Sequence, residues 1–179
     1  TGTDTNRPPI RIVCNNVSTD FFINGASSNV GLMDEPDDVG NIGDINMLGG
    51  TCIVGSGITA YTAVNVSGSG TNLVIEEPTA AQTITVDGGN VVINGTNAIA
   101  TVVQRGGTVV SNTTGTITTY TLRGGTLDLQ QSEEARTITT LTMSPLATTF
   151  KHLRGVVTLT NDIGFDTNYK FYTVTANET

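Results

Sequence analysis

The sequence predicts an all-β chain: a single-stranded parallel β-solenoid, or β-helix, with coils of about 18–21 residues. Three observations predict it. The diglycines Gly88-Gly89, Gly106-Gly107 and Gly124-Gly125 recur every 18 residues. Apolar positions line up at the same spacing. Ala81, Ile99 and Ile117 form one column, Ile84, Val102 and Tyr120 a second, and Leu73, Val91, Val109 and Leu127 a third. Around each diglycine, short runs rich in Thr, Val and Ile alternate apolar with polar, which is the pattern of a half-buried strand. One coil cannot bury its own apolar face, so stacking coil on coil makes the core.

A run, two glycines and a second run is also the pattern of a tight β-hairpin. Repeated hairpins would give an antiparallel meander or sandwich instead. The solenoid is favoured because the columns persist through the joints between coils. Thr83, Thr101, Thr119 and, after an insertion, Thr137 or Thr140 recur there, where hairpins would need only the turn to repeat. No hexapeptide signature of a left-handed helix is visible.

Taken in order, residues 1–44 read as an N-terminal extension or cap and the attachment region. Pro8-Pro9 holds the end of a leader extended. One or two strands follow, with a turn at Asn24-Gly25, and then an irregular acidic stretch. Residues 45–160 carry the repeats. The first spans residues 45–54, and the second has Gly68-Ser69-Gly70 in place of the diglycine and closes at Glu76-Glu77-Pro78. The three clearest coils come next. Residues 130–136 then insert extra chain as a bulge, and residues 137–150 restate 116–129 with Ser144-Pro145 replacing the diglycine. Residues 153–161 restate 122–130. The last segment, 161–179, brings in Tyr169, Phe171 and Tyr172 and reads as a capping strand, which an exposed solenoid end requires.

Composition narrows the function classes. The net charge of −8 argues against a nucleic-acid partner, which calls for a basic patch. No apolar run approaches the ~18 residues of a membrane span, so no membrane partner is expected. No signal-peptide pattern opens at Thr1, where an initiator Met is also missing. Cys14 and Cys52 fall in phase with apolar neighbours and read as small core residues, with a bridge between them as the alternative.

Four groupings are candidates for chemistry. Asp34, Glu35, Asp37, Asp38 and Asp44 offer oxygens to Ca²⁺, and Asp34, Asp37 and Asp38 are the metal candidates. Their spacing matches neither an EF-hand loop nor a glycine-rich nonapeptide, so it reads as a solvated acidic loop and no metal or cofactor is expected. Asp87, Arg105 and Arg123 share a column, each just before a diglycine. A glycosidase needs paired carboxylates, and Asp128 is the only other acid in the repeats proper. A surface charge ladder is the expectation, and no catalytic residue. His152, the single histidine, lies between Lys151 and Arg154 beyond Leu153, without a nucleophile elbow anywhere. It reads as a polar turn, with contact to an acidic partner as the alternative. Sequons begin at Asn16, Asn65, Asn94, Asn112 and Asn177, at a density that the Asn and Thr content explains by chance.

The stretch TITTYTLRGGTLDLQQSEEARTITTLTMSPLATTF, residues 116–150, resembles β-solenoid segments of tailed-bacteriophage virion proteins. In those, coils of the form T-h-x-x-h-x-h-x-G-G-T-h-x-h stack, and a late coil replaces Gly-Gly by a proline-containing turn. The resemblance covers residues 45–160 and none of the first 44. It implies a non-enzymatic structural protein on the particle surface, a capsid-associated decoration or cement protein. It also implies a major capsid or other virion protein as partner, and a homo-oligomer, a trimer. The alternative is a tail-fibre or adhesin module binding host surface glycans. A polysaccharide-degrading enzyme stands third, because such enzymes use longer coils and groove-building loops.

Overall fold

The computed structural model describes residues 10–13, 20–33, 40–79, 82–144, 148–152, 157–161 and 164–165. Every described element is a strand or a turn. The first strands are β1 (Ile10–Val13), β2 (Phe21–Ile23), β3 (Asn29–Met33), β4 (Gly40–Asn41), β5 (Ile45–Met47), β6 (Thr51–Val54) and β7 (Ile58–Ala60). The middle of the chain holds β8 (Ala63–Val66), β9 (Asn72–Ile75), β10 (Thr83–Val86), β11 (Asn90–Ile93), β12 (Ile99–Gln104) and β13 (Thr108–Ser111). It ends with β14 (Ile117–Leu122), β15 (Gly125–Asp128), β16 (Arg136–Met143), β17 (Thr148–Lys151), β18 (Val157–Leu159) and β19 (Gly164–Phe165).

Two parallel sheets carry the coil. One runs β1-β3-β6-β9-β11-β13-β15-β17, and the other runs β18-β16-β14-β12-β10-β8-β5-β2, with β19 also against β16. We call them the front and back sheets. A small third pairing, β4 with β7, widens the early coils. The chain is a parallel β-solenoid. Strands on either side of a diglycine go to different sheets: β10 pairs with β8 and β12, and β11 with β9 and β13. The hairpin alternative fails on that point, because a hairpin would have paired β10 with β11.

The columns read from spacing are rungs of these ladders. Val30, Cys52, Leu73, Val91, Val109, Leu127 and Phe150 follow one another in register on the front sheet. Phe21, Ile45, Val64, Ile84, Val102, Tyr120 and Leu141 do so on the back sheet. Ile99 pairs with Ile117 and Ile117 with Ile138, while Ala81 lies outside the described residues. Leu73, Val91, Val109, Leu127, Ile84, Val102 and Tyr120 are all buried. Each fully buried aliphatic side chain here contributes about 1.5–3 kcal/mol. Cys52 is fully buried between Val30 and Leu73; Cys14 lies outside the described residues.

The ladders run on below Ile45, through β3 and β1 on the front and β2 on the back. Of the segments expected to cap the ends, residues 1–44 supply β1 to β4, while residues 1–9, 14–19, 34–39, 162–163 and 166–179 lie outside the described residues.

Two alignments made on sequence alone are corrected. Matching residues 137–150 to 116–129 sets Thr148 beneath Leu127, but Phe150 takes that place. The corner that replaces the tight diglycine is longer, so the strand after it starts two residues later, an even shift that keeps the same face inward. Matching residues 153–161 to 122–130 makes Val157–Leu159 a front strand. Instead β18 pairs with β16 on the back sheet, because β17 has already filled the front position of that coil. Thr140, not Thr137, continues the joint column beneath Thr119.

The diglycine corners join back strands to front strands at Gly88-Gly89, Gly106-Gly107 and Gly124-Gly125. Gly107 shows why glycine is needed. Its φ is +69°, a conformation L side chains rarely adopt, and a Cβ there would sit 2.3 Å from the carbonyl oxygen of Gly89 in the coil before. Gly89 and Gly125 repeat the conformation. The first glycines are set by crowding: a Cβ at Gly106 would meet the Asp87 carbonyl oxygen at 2.6 Å, and one at Gly124 the Arg105 carbonyl oxygen at 2.4 Å. The corner at Gly88 is looser, at 3.3 Å from Gly68 N, because Gly68-Ser69-Gly70 precedes it.

Candidate functional site

On the outward surface of the coil, polar side chains form ladders along the axis. Asp87 and Arg105 occupy successive diglycine corners, and Arg105 Nη1 donates to Asp87 Oδ1 at 2.9 Å with both side chains about half exposed. Arg123 holds the next corner and is exposed. An exposed pair of this kind contributes about 0–1 kcal/mol.

Amide ladders run parallel to it. Asn65 Nδ2 donates to Asn46 Oδ1 at 3.0 Å on the back sheet, and Asn90 Nδ2 to Asn72 Oδ1 at 3.1 Å on the front. Past the front strands, Asn94 Nδ2 donates to Glu76 Oε2 and Asn112 Nδ2 to Asn94 Oδ1, each at 3.1 Å. Glu77 closes the adjoining corner: its Oε1 accepts the backbone N–H of Thr96 at 2.8 Å and of Asn97 at 2.6 Å. Three of the sequon asparagines, Asn65, Asn94 and Asn112, are members of these ladders. Asn16 and Asn177 lie outside the described residues.

Two further columns define the faces. On the back sheet, Thr83, Thr101, Thr119 and Thr140 stack in register beside Thr85, Val103, Thr121 and Thr142. This face carries no charge at those positions. On the front sheet, Ile53, Val74, Val92 and Val110 form an outward, half-buried apolar column, flanked by Thr51, Asn72, Asn90 and Thr108. Phe22 and Leu48 are the exposed large hydrophobics among the described residues, 72% and 54% exposed, both near the N-terminal end of the back sheet.

A charged cluster that the sequence reading missed sits where residues 130–136 interrupt the repeat. Asp128 is buried, accepts the N–H of Gln130 at 2.8 Å and Gln131 Nε2 at 3.4 Å, and lies 3.8 Å from Lys151 Nζ. Arg136 is also buried and donates through Nη1 to the Leu129 carbonyl and through Nη2 to the Ser132 carbonyl. Burial lowers the pKa of its guanidinium, and the negative charges of Asp128 and Glu134 oppose that shift. Both hydrogen-bond partners of Arg136 are backbone carbonyls, Leu129 just before the inserted loop and Ser132 within it, so its chemistry is that of a clasp. The signal available in the sequence was an arginine at the first position of a strand whose counterparts are neutral.

The core holds a second polar group that the columns concealed. Gln104 falls in an otherwise apolar column between Val86 and Leu122. Its Nε2 donates to the carbonyls of Thr126 at 2.9 Å, Gly107 at 3.1 Å and Gly106 at 3.3 Å, while its Oε1 accepts from Tyr120 OH at 2.6 Å. Burial pushes the Tyr120 phenol well above its usual range. Tyr61 is raised too, by burial first and by the charge of Glu77, against a hydrogen bond with Gln82.

His152 stands beside Phe150, with ring centroids 5.2 Å apart; Arg154 is outside the described residues. Asp34, Asp37 and Asp38, the metal candidates, also lie outside them. Among the described residues no group of three or more His, Cys, Asp or Glu is placed to hold a metal ion, and no helix is long and apolar enough to cross a membrane. None of the family models, curated proteins or solved structures compared with the chain matches it.

Proposed function

We propose that the chain is a non-enzymatic structural protein of a bacteriophage particle, a capsid-associated decoration or cement protein in which the solenoid serves as a stiff spacer. The observation that carries the structural part is the set of outward ladders. Asn46–Asn65, Asn72–Asn90, Glu76–Asn94–Asn112 and Asp87–Arg105 each bind one coil to the next. Polar groups that satisfy one another along the axis stiffen the stack, as amide ladders do in other stacked parallel strands. The particle context is supported by the resemblance of residues 116–150 to virion solenoid segments. The N-terminal region, which joins the ladders through β1, β2 and β3 but carries no diglycine, is the attachment element, and a capsid or other virion protein is the partner.

The outward column Ile53–Val74–Val92–Val110 supports lateral packing into a homo-oligomer, a trimer. A thin two-sheet core gains from burying such a stripe against another copy. Immunogold labelling of particles purified from the source phage tests the function. Label over the head supports a decoration protein, label at a tail tip refutes it in favour of an adhesin, and unlabelled particles refute both. Light scattering over a wide concentration range tests the oligomer, and a monomer throughout overturns it.

A second reading, a fibre or adhesin module for host glycans, is favoured by the uncharged threonine columns of the back sheet, whose hydroxyls suit sugars. A polysaccharide-degrading enzyme is the least favoured reading. Its two carboxylates would be Asp87 and Asp128, which are engaged by Arg105 and by Gln130 and Gln131.

A further inference from the structure

The tripeptide Ile-Asn-Gly occurs twice, at Ile23-Asn24-Gly25 and Ile93-Asn94-Gly95. In both, the isoleucine is a buried last residue of a strand, β2 or β11. Asparagine before glycine is open to attack by the chain itself, because glycine has no Cβ to obstruct the approach of its amide nitrogen. That nitrogen gives its proton to a solvent base and bonds to the asparagine Cγ. The Cγ–Nδ2 bond breaks and the nitrogen leaves as ammonia. The resulting succinimide takes up one water and opens to aspartate, or to isoaspartate when water attacks the backbone carbonyl carbon. Water is the only co-reactant.

The fold places the two copies in opposite circumstances. The Asn94 carboxamide is held at both ends, its Nδ2 donating to Glu76 Oε2 and its Oδ1 accepting from Asn112 Nδ2, each at 3.1 Å. Its neighbour is pinned as well, since Thr114 N–H donates to the Gly95 carbonyl at 3.0 Å. Swinging Cγ over the Gly95 nitrogen would break both side-chain bonds. Asn24 is exposed on the turn between β2 and β3, and no described residue hydrogen-bonds its carboxamide.

We propose that Asn24 is a site of spontaneous deamidation, and that the Glu76–Asn94–Asn112 ladder protects the identical tripeptide at Asn94. The modification has a local consequence. The Asn24 turn stacks closely on the next corner, where a Cβ at Gly50 would lie 2.5 Å from the Gly25 carbonyl oxygen. The turn is closed by Ser28 N–H to the Gly25 carbonyl at 2.8 Å, and Thr51 N–H reaches the Ser28 carbonyl at 2.7 Å. An isoaspartate adds a methylene to the backbone inside that contact and loosens the first corner, leaving β10 to β15 untouched.

The test is to hold the intact protein in warm, mildly alkaline buffer, with and without urea, and to follow amide-to-acid conversion in both peptides by mass spectrometry. In the folded protein the Asn24 peptide converts faster than the Asn94 peptide by about tenfold or more, because Asn94 must first open its ladder. In urea the two rates converge. Equal rates in the folded protein, a faster Asn94, or an Asn24 that converts only in urea would overturn the proposal. An Asn112→Ala variant separates the ladder from the rest: Asn94 conversion speeds up if the ladder protects it, and an unchanged rate refutes that protection.

Discussion

Replacing Tyr120 by Phe and Gln104 by Leu, singly and together, probes the buried polar contact at the centre of the coil. Tyr120→Phe leaves the Gln104 Oε1 without its 2.6 Å donor. A buried acceptor so orphaned costs about 1–3 kcal/mol. Gln104→Leu orphans the Tyr120 hydroxyl, at a similar cost, and also removes the donor to the Thr126, Gly107 and Gly106 carbonyls. Of these, the Gly107 carbonyl keeps the Thr126 N–H at 2.9 Å. The single variant therefore loses about 2–4 kcal/mol. In the double variant both sides of the contact are apolar, and the introduced leucine continues the column of Val86 and Leu122. The two losses then fail to add, and the double variant is more stable than the Gln104→Leu single. The coupling is about 1–3 kcal/mol. Urea unfolding followed by far-UV circular dichroism reads it, since the chain has no Trp. Losses that add to within about 0.5 kcal/mol would refute the reasoning.

Other perturbations have outcomes that differ in sign and size. Gly107→Ala puts a Cβ at φ +69° and 2.3 Å from the Gly89 carbonyl oxygen, so a loss of at least about 2 kcal/mol is expected in the same unfolding assay. Ser111→Val replaces a buried hydroxyl without a hydrogen-bond partner, in register with Ile93, and should raise stability by about 1 kcal/mol; a lower unfolding midpoint would refute it. Asp87→Asn removes a half-exposed ion pair and should change stability by under about 1 kcal/mol, with the difference vanishing in high salt. Tyr61 and Tyr120 have folded pKa values raised above the unfolded value. Their contribution is fully present below pH of about 10 and is lost as pH climbs toward the folded values. Tyrosinate absorbance of these two should therefore appear together with alkaline unfolding, not before it.

Much of the core is legible in the sequence. Ile84, Val102 and Tyr120, or Leu73, Val91, Val109 and Leu127, are separated by equal numbers of residues, and equal covalent paths around equal corners return the chain to the same place. The alternation in β10 and β11 assigned inward and outward faces for the same reason. Legibility ended where the path length changed. The corner after Met143 carries more chain than a diglycine, so Phe150 rather than Thr148 pairs with Leu127. Asp128 and Arg136 look like ordinary surface charges in the sequence, since nothing local reveals that Gln130 and Gln131 close on Asp128 and the Leu129 and Ser132 carbonyls on Arg136. Asp87 and Arg105 were anticipated as neighbours, being equivalent positions in successive coils.

By itself, the sequence determined the coil period and the inward columns, because these depend only on counting residues between corners that glycine allows; the choice of parallel coils over hairpins came from the pairing of β10 and β11. The tertiary structure decided the rest. It set β18 on the back sheet, gave Gln104 a donor from one strand and acceptors from the next corner, and gave Asn24 and Asn94 different surroundings within the same tripeptide. Each of these depends on atoms supplied by another coil, and no run of neighbouring residues carries that information.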